Sequence, residues 1–433
     1  MPQQKKYYNL MVLGCQMNKN DAERLATILE TVGYSATEDE AEADLVGVVS
    51  CAVRQSAMDR IHGKLRQWQL EKAKRPFITL LSGCVLQHDR EALKEKFDIF
   101  IDIKKLDTLP EQIKKLTNEQ IIDLPSYFKI QPKYRSTFLA YVPIATGCNK
   151  FCTYCAVPYT RGKEVSRPAT EILEEIRHLV QHGYKEIVLV GQNVNSYGLD
   201  IKDEIKFSEL VKRIDQIEGD YWLRFMTSHP YDMSDDLIAE MVHSKHLSNY
   251  LHLPVQSGDD DILKKMNRHY TITHYKERID KVRQAKPTIG LSTDVIVGFC
   301  GESEQQFQKT IQLFKDVKYD MAYISQYSVR SGTAATKLYA DDVSHEVKEQ
   351  RERELNEVLA QTGLAYNQQF VDKTIKVLVD SRRNKGQAFR YQGKNSESKT
   401  VNFNAADLTL IGNFVMVKIT EAKSFGLEGE LVV

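Results

Sequence analysis

The chain has 433 residues, too many for one compact core, and its length points to about three domains. Its 42% hydrophobic and 27% charged content is that of an ordinary soluble protein, which excludes wholesale disorder. Lysine plus arginine number 59 and aspartate plus glutamate also 59, so a globally basic nucleic-acid coat is excluded and any RNA contact must come from a local patch. No uncharged apolar run reaches the ~20 residues of a membrane helix. The stretch from Leu10 to Leu13 is too short for a secretion signal. A cytoplasmic protein with no membrane partner is expected.

Residues 1 to about 122 alternate strand and helix. Apolar runs at Asn9–Leu13, Leu45–Val49 and Phe77–Leu81 read as strands, and each is followed by a cysteine within a few residues. Helices are expected over Asp21–Thr31, Val53 to about Lys72 and Asp89–Lys96. Strands alternating with helices imply a parallel sheet, whose strand C-termini share one ligand-binding edge. Cys15, Cys51 and Cys84 hold equivalent places in three such loops and can converge on one object.

Residues 123–137, with Pro125 and Pro132, read as a linker. A second series follows, with strands expected at 138–146, 186–190, 222–226, 251–254, 291–297 and 321–327. Helices at 170–182, 235–245, 272–285 and 303–317 lie between them. Six such units in this length suggest a partial barrel with its working loops at the strand C-terminal ends. A charged helix at 344–370 leads into short β-runs from Thr374 onward, with glycines at 386, 393, 412, 426 and 429 as turns. A five-stranded barrel is the natural reading. The expected fold class is α/β: an N-terminal parallel-sheet α/β domain (1–122), a central partial (β/α)6 barrel (138–365) and a small C-terminal β-barrel (366–433).

Seven cysteines are few for a disulfide scaffold of this size and read better as ligands or nucleophiles. Cys148, Cys152 and Cys155 form C-x3-C-x2-C directly after a predicted strand. Three thiolates bind three irons of a cubane and leave the fourth open to a small molecule. Structural zinc is the alternative, and it normally wants four closed ligands. The nearest downstream histidines, His178 and His182, fall on the polar side of the predicted helix.

At this motif the chain resembles the radical S-adenosylmethionine (SAM) superfamily. Thr146 to Arg167, with Arg161, Gly162, Glu164 and Arg167 in its tail, is similar to the methylthiotransferase version. Gly14-Cys15-Gln-Met-Asn18, Ser50-Cys51-Ala-Val-Arg54 and Gly83-Cys84 resemble that family's N-terminal cysteine motifs. Gly191–Gly198, Thr227–Pro230, His252–Gly258 and Tyr327–Thr333 resemble the MiaB-type branch, which acts on tRNA. The resemblance covers essentially the whole chain. It departs at Cys300, where the family has proline, a small residue in an ordinary turn.

The resemblance implies two [4Fe–4S] clusters, one on Cys148, Cys152 and Cys155 that binds SAM, and an auxiliary one on Cys15, Cys51 and Cys84. It implies no acid–base catalytic residue, because the radical chemistry belongs to the cofactor. The reaction expected is conversion of N6-isopentenyladenosine at tRNA position 37 to its 2-methylthio form, with a low-potential electron donor and a sulfur source as partners, by a monomer. Gln192, Asn193, Gln256, Ser257, Gly298, Glu302 and Arg330 are expected SAM contacts, and Arg224 and Arg268 are further candidates for carboxylate or phosphate.

The C-terminal barrel resembles the TRAM domain, an RNA-binding module. Arg382, Arg383, Lys385, Arg390, Lys394 and Lys399 stand against one acidic residue, Glu397, with Phe389 and Tyr391 interleaved. That stretch suits phosphates of a tRNA anticodon stem-loop and base stacking. Competing readings are a methylthiotransferase for threonylcarbamoyladenosine or a ribosomal-protein aspartate, and a non-catalytic zinc-stabilised RNA-binding protein.

Overall fold

The apolar runs that lead to cysteines become neighbouring strands of a parallel sheet. In the computed structural model, which describes residues 5–51, 55–117, 127–202, 204–385, 388–406 and 409–432, these are β1 (Lys6–Val12), β3 (Leu45–Ser50) and β4 (Ile78–Gly83), with β2 (Tyr34–Ala36) and β5 (Ile99–Phe100) at the edges. Their order is β2-β1-β3-β4-β5, and every pairing is parallel. β3 is buried along its whole length, as a central parallel strand covered on both faces must be. Helices α1 (Gln16–Thr31), α2 (Gln55–Lys72) and α3 (Gln87–Lys94) follow β1, β3 and β4, and α4 (Leu109–Thr117) ends the series. One core packs Leu25, Ile28 and Ile113 against Leu45 and Leu80. Another packs Ile61, Trp68 and Leu93 against Val46, Val48 and Leu81.

α1 begins at Gln16 rather than at Asp21, with Cys15 as its N-cap. Gly14 makes this possible, because its φ of +107° turns the chain within the three residues between β1 and α1. Of the segment read as a linker, Tyr127 to Arg135 lies against α1. Arg24 Nη1 donates to the carbonyls of Tyr127 (3.0 Å) and Phe128 (3.3 Å), and Ile130 is buried in the core. Arg54 and Gly386 lie outside the described residues.

The chain divides into two units. The first comprises Met1–Arg135, Thr146–Arg167 and Arg330–Lys337; the second comprises Ser136–Ala145, Pro168–Val329 and Leu338–Val433. After β6 (Leu139–Pro143), the short β7 (Ala145–Thr146), α5 (Val157–Arg161) and β8 (Val165–Ser166) bracket the three-cysteine segment. Then α6 (Ala169–Gln181), β9 (Glu186–Val190), α7 (Phe207–Asp215), β10 (Trp222–Phe225), α8 (Asp235–His243) and β11 (Tyr250–His252) follow. The series ends with α9 (Asp260–Lys265), α10 (Ile272–Ala285), β12 (Gly290–Val297), α11 (Glu304–Val317) and β13 (Met321–Gln326).

β6, β9 and β10 form one parallel sheet, and β11, β12 and β13 another. Hydrogen bonds from Leu223 N to His246 O (2.8 Å) and from Ser248 N to Leu223 O (2.9 Å) tie β10 to the segment entering β11. Six parallel strands thus follow one another in chain order, the partial (β/α)6 barrel expected. α7 is an addition, with Phe207, Leu210, Val211 and Ile214 buried at helical spacing.

After α12 (Ala334–Leu338) and the long α13 (His345–Gln368), five strands close into a barrel. They are β14 (Thr374–Lys385), β15 (Ala388–Lys394), β16 (Thr400–Ala405), β17 (Phe414–Lys423) and β18 (Gly426–Leu431), in the order β14-β15-β16-β18-β17. Arg224 corrects the expectation of a ligand-binding arginine. Its buried guanidinium pairs with Glu186 and donates to the carbonyls of Asn395 (2.8 Å) and Ser396 (3.0 Å), and so anchors the small barrel. Among the described residues no helix is long and apolar enough to cross a membrane.

Candidate functional site

Cys15, Cys51 and Cys84 sit at the ends of three adjacent strands, and Asn18 ties their loops together. Its buried Nδ2 donates to Leu13 O (2.7 Å) and Ser50 O (2.6 Å). Its Oδ1 lies 3.6 Å from Cys15 Sγ and 3.9 Å from Cys84 Sγ. Gly14 faces Cys51, where an added Cβ would stand 3.0 Å from the Sγ. The three thiols therefore gather around Asn18 and Gly14, as ligands of a single group must. Burial pushes the Cys15 and Cys84 thiols up, and the Arg161 charge pulls both back. Metal loading requires thiolates and so releases protons. Among the described residues no three His, Cys, Asp or Glu side chains converge closely enough for one ion, and a cubane, wider than one ion, sets its ligands further apart.

Cys148, Cys152 and Cys155 lie in a loop of the same unit. Cys148 N donates to Gly162 O (3.1 Å), and Ala335 N donates to Thr153 O (2.7 Å). Phe151 takes a left-handed φ of +49° inside this loop, a strain that concentrates at functional sites. Burial pushes the Cys148 thiol up to about 11. Gly147 has φ +80°, and a Cβ there would overlap the Lys163 carbonyl. On the expectation of two clusters, Gly147→Ala should lower the melting temperature and cost roughly four of roughly eight irons. Iron analysis with a thermal melt checks this, and a fully loaded variant melting with the wild type would refute it.

The two cysteine groups adjoin. Cys84, Leu86 and Ala156 share one apolar cluster. Arg161, the last residue of α5, donates from Nε to Cys84 Sγ (3.1 Å) and from Nη2 to Asn18 Oδ1 (3.0 Å) and Asp21 Oδ2 (2.5 Å). Tyr127 OH donates to the other Asp21 oxygen (2.5 Å). The sequence offers Arg161 only as part of a motif tail; its reach to a thiol 77 positions away is a tertiary fact. Arg330, expected beside the barrel residues, belongs instead to the cysteine unit, where Cys51, Asp59 and Asp89 act on its charge.

The remaining expected SAM contacts lie in the other unit, at strand C-terminal ends. Gln192 Oε1 and Asn193 Oδ1 are buried with no hydrogen-bond partner among the described residues, and unmet buried acceptors ask for a donor. Asn193 Nδ2 donates to Asp232 Oδ2 (2.6 Å). Gln256 and Thr227 take left-handed φ of +73° and +68°. Ser257 is fully buried and its Oγ accepts from Asp259 N (3.3 Å). Gly258 is required by packing, since a Cβ would stand 2.5 Å from Thr310 Cα. His252, which sequence reasoning had only within a motif, pairs with Ser292 (2.7 Å) and Asp294 (3.4 Å).

Glu302 has a structural partner set: it accepts from Gly298 N (2.6 Å) and Arg351 Nη1 (3.0 Å), binding the turn to α13. Gly298 takes φ +68° in that turn, and Cys300 is buried there beside Tyr327. Arg268 is another correction, held by Pro254 O (2.7 Å) and Tyr270 OH (3.1 Å) inside the fold. His178 and His182 are exposed, as their helix face predicts.

The basic stretch is smaller than its sequence. Arg382, Arg383 and Lys394 are exposed, with the Arg382 guanidinium over the Phe389 ring (5.0 Å). Arg390 Nη2 lies 2.7 Å from both carboxylate oxygens of Glu428. The Lys385 side chain lies outside the described residues. Lys399 is buried and paired with Asp320, and Tyr391 is fully buried against Phe403. Neither is open to RNA.

Comparison with known proteins agrees with this arrangement. The radical SAM superfamily matches residues 142–314, the uncharacterized protein family UPF0004 residues 7–103 and the TRAM domain residues 368–432. The tRNA-2-methylthio-N(6)-dimethylallyladenosine synthase of Thermoanaerobacter sp. (strain X514) is 42% identical, over 98% of this chain and 93% of that protein. The enzyme of that name from Clostridium botulinum (strain Langeland / NCTC 10281 / Type F) is 41% identical, over 96% of this chain and 95% of its own. Among solved structures, the radical SAM methyltransferase TsrM from Kitasatospora setae shares the fold with a TM-score of 0.58 at 12% identity, over 77% of this chain and 74% of that one. Both cysteine groups, most of the partial barrel and the terminal barrel fall within matched families, and the chain belongs to the radical SAM family of tRNA-2-methylthio-N(6)-dimethylallyladenosine synthases.

Proposed function

We propose that the protein replaces the C2 hydrogen of N6-isopentenyladenosine at tRNA position 37 with a methylthio group, using SAM as methyl donor and radical source. The observation that carries this is the pair of three-cysteine groups in one unit, joined through Arg161 and Cys84. Cys148, Cys152 and Cys155 would hold the SAM-binding [4Fe–4S] cluster, and Cys15, Cys51 and Cys84 the auxiliary one. When bound, the clusters supply the electron that cleaves SAM and an open iron for the incoming sulfur.

The protein's own part is positioning and exclusion of water. The adenine C2–H is not usefully acidic and has no leaving group, so side-chain acids and bases have little to offer. The buried acceptors of Gln192 and Asn193 suit donors on SAM or the nucleotide, and Gln256 presents its side chain from a strained backbone. Arg330 stands where it can meet an anionic group near Cys51. Ser257, Gly298 and Glu302 serve the same edge by fixing its turns.

Exposed Arg382, Arg383 and Lys394 suit phosphates of the anticodon stem-loop, whose unpaired bases splay out at little cost. Arg390 adds to them if its pairing with Glu428 yields. A low-potential electron donor and a sulfur source complete a cytoplasmic reaction by a monomer. Anaerobic turnover with reductant, SAM and isopentenylated tRNA, followed by nucleoside mass analysis, tests the reading. The expected product is the 2-methylthio nucleoside; product only from threonylcarbamoylated tRNA would overturn it.

A further inference from the structure

We infer that Arg161 is a positioning residue for the N-terminal cysteine trio: it orients Cys84 and sets a fixed positive charge beside the cluster held there, raising its reduction potential. This rests on the reading that the trio holds a cluster. Arg161 is only 2% exposed, and an arginine keeps its charge wherever it is buried. Nε is committed to Cys84 Sγ, and Nη2 to Asn18 and Asp21. Nη1 is buried and has no acceptor among the described residues.

A guanidinium carries five N–H donors in a rigid fork, and leaving a charged donor unmet in the interior is costly. A fold latch alone does not explain that cost. An acceptor that arrives with the cluster would, and the same guanidinium already holds Cys84 through its Nε. Asp21 is shared with the Tyr127 hydroxyl, so it fixes the fork's direction. Hydrogen bonds to ligand sulfur and net charge are what set the potential of an iron–sulfur centre. Arg161 also lies in the segment that carries Cys148, Cys152 and Cys155, so one helix end positions a thiol of the other trio.

The test uses the full chain carrying Cys148→Ala, Cys152→Ala and Cys155→Ala, in which bound iron belongs to the first trio. Arg161→Met, Arg161→Lys and Arg161→Gln are made on this background and reconstituted anaerobically. Iron is counted, and the midpoint is read by redox titration followed by electron paramagnetic resonance. The parent is expected to hold roughly four irons. Arg161→Met is expected to shift the midpoint to more negative potential, and Arg161→Lys, which keeps the charge, to shift it less. An unchanged midpoint with iron retained overturns the inference.

Should Arg161→Met lose its iron, Arg161→Gln, which removes the charge and keeps a hydrogen-bond donor, decides by the same reading. Iron loss from Arg161→Gln with unaltered melting of the metal-free chain supports positioning. Iron loss with a lowered melting temperature assigns the residue to folding alone and overturns it. A parent chain that binds no iron rejects the cluster assignment of the trio itself, and the inference falls with it.

Discussion

Cys152→Ala is expected to abolish 5′-deoxyadenosine formation and methylthio product together, whereas Cys51→Ala is expected to lose the product and keep part of the SAM cleavage. Both thiols are buried, and alanine in place of cysteine removes one atom, so the fold should tolerate either change. The loss is therefore chemical. It should exceed roughly 100-fold, since even outer partners of a metal ligand are worth up to about that factor. Cys51 probes the first trio without breaking the Arg161 hydrogen bond that Cys84 accepts. Anaerobic assays that separate 5′-deoxyadenosine from modified nucleosides give both numbers. Equal loss of both activities in Cys51→Ala would reject separate roles for the two groups.

Much of this arrangement is legible in the chain. β3 and β4 announce themselves as apolar runs too continuous for a half-exposed strand, and each leads to a cysteine at the ligand-binding edge. The C-x3-C-x2-C spacing needs no tertiary information. Arg161 does, because nothing local distinguishes an arginine that ends a short helix in solvent from one that ends it against Cys84. Gly147 likewise reads as an ordinary turn until the Lys163 carbonyl is placed beside it.

The basic stretch shows a signal present but misjudged. In a strand, alternate side chains take opposite faces, so Tyr391 stands opposite Arg390 and Gln392. In a closed barrel one of those faces is the core, where Tyr391 packs with Phe403 and Val417. Tyr391 thus points away from Arg390 beside it, whereas Phe389 meets Arg382 from the neighbouring strand. The period of two removes Tyr391 from a stacking surface and leaves Phe389, half-buried under Arg382.

Lys399→Ala is expected to destabilise the protein by about 3–5 kcal/mol, the usual cost of removing one partner of a buried ion pair, and to leave the salt dependence of tRNA binding unchanged. Lys399 and Asp320 are both buried, and burial pushes the carboxyl up and the ammonium down. Each keeps the other charged, and Leu291 N also donates to Asp320. Without Lys399 the carboxylate is left in the interior with its pKa raised further. A raised carboxyl favours the folded state while it is protonated, so the variant's deficit should shrink toward acid and grow as pH rises through that raised value. Arg382→Ala with Arg383→Ala should behave in the opposite way. Both side chains are exposed, so stability should stay within about 0.5 kcal/mol, while the slope of log K against log salt should flatten by about two. Deleting 371–433 cannot separate these effects, because it also strips partners from Arg224 and Asp320. Thermal melts across pH, read beside tRNA affinities across salt, separate them. A Lys399→Ala protein that melts with the wild type but loses salt dependence would return Lys399 to the RNA surface.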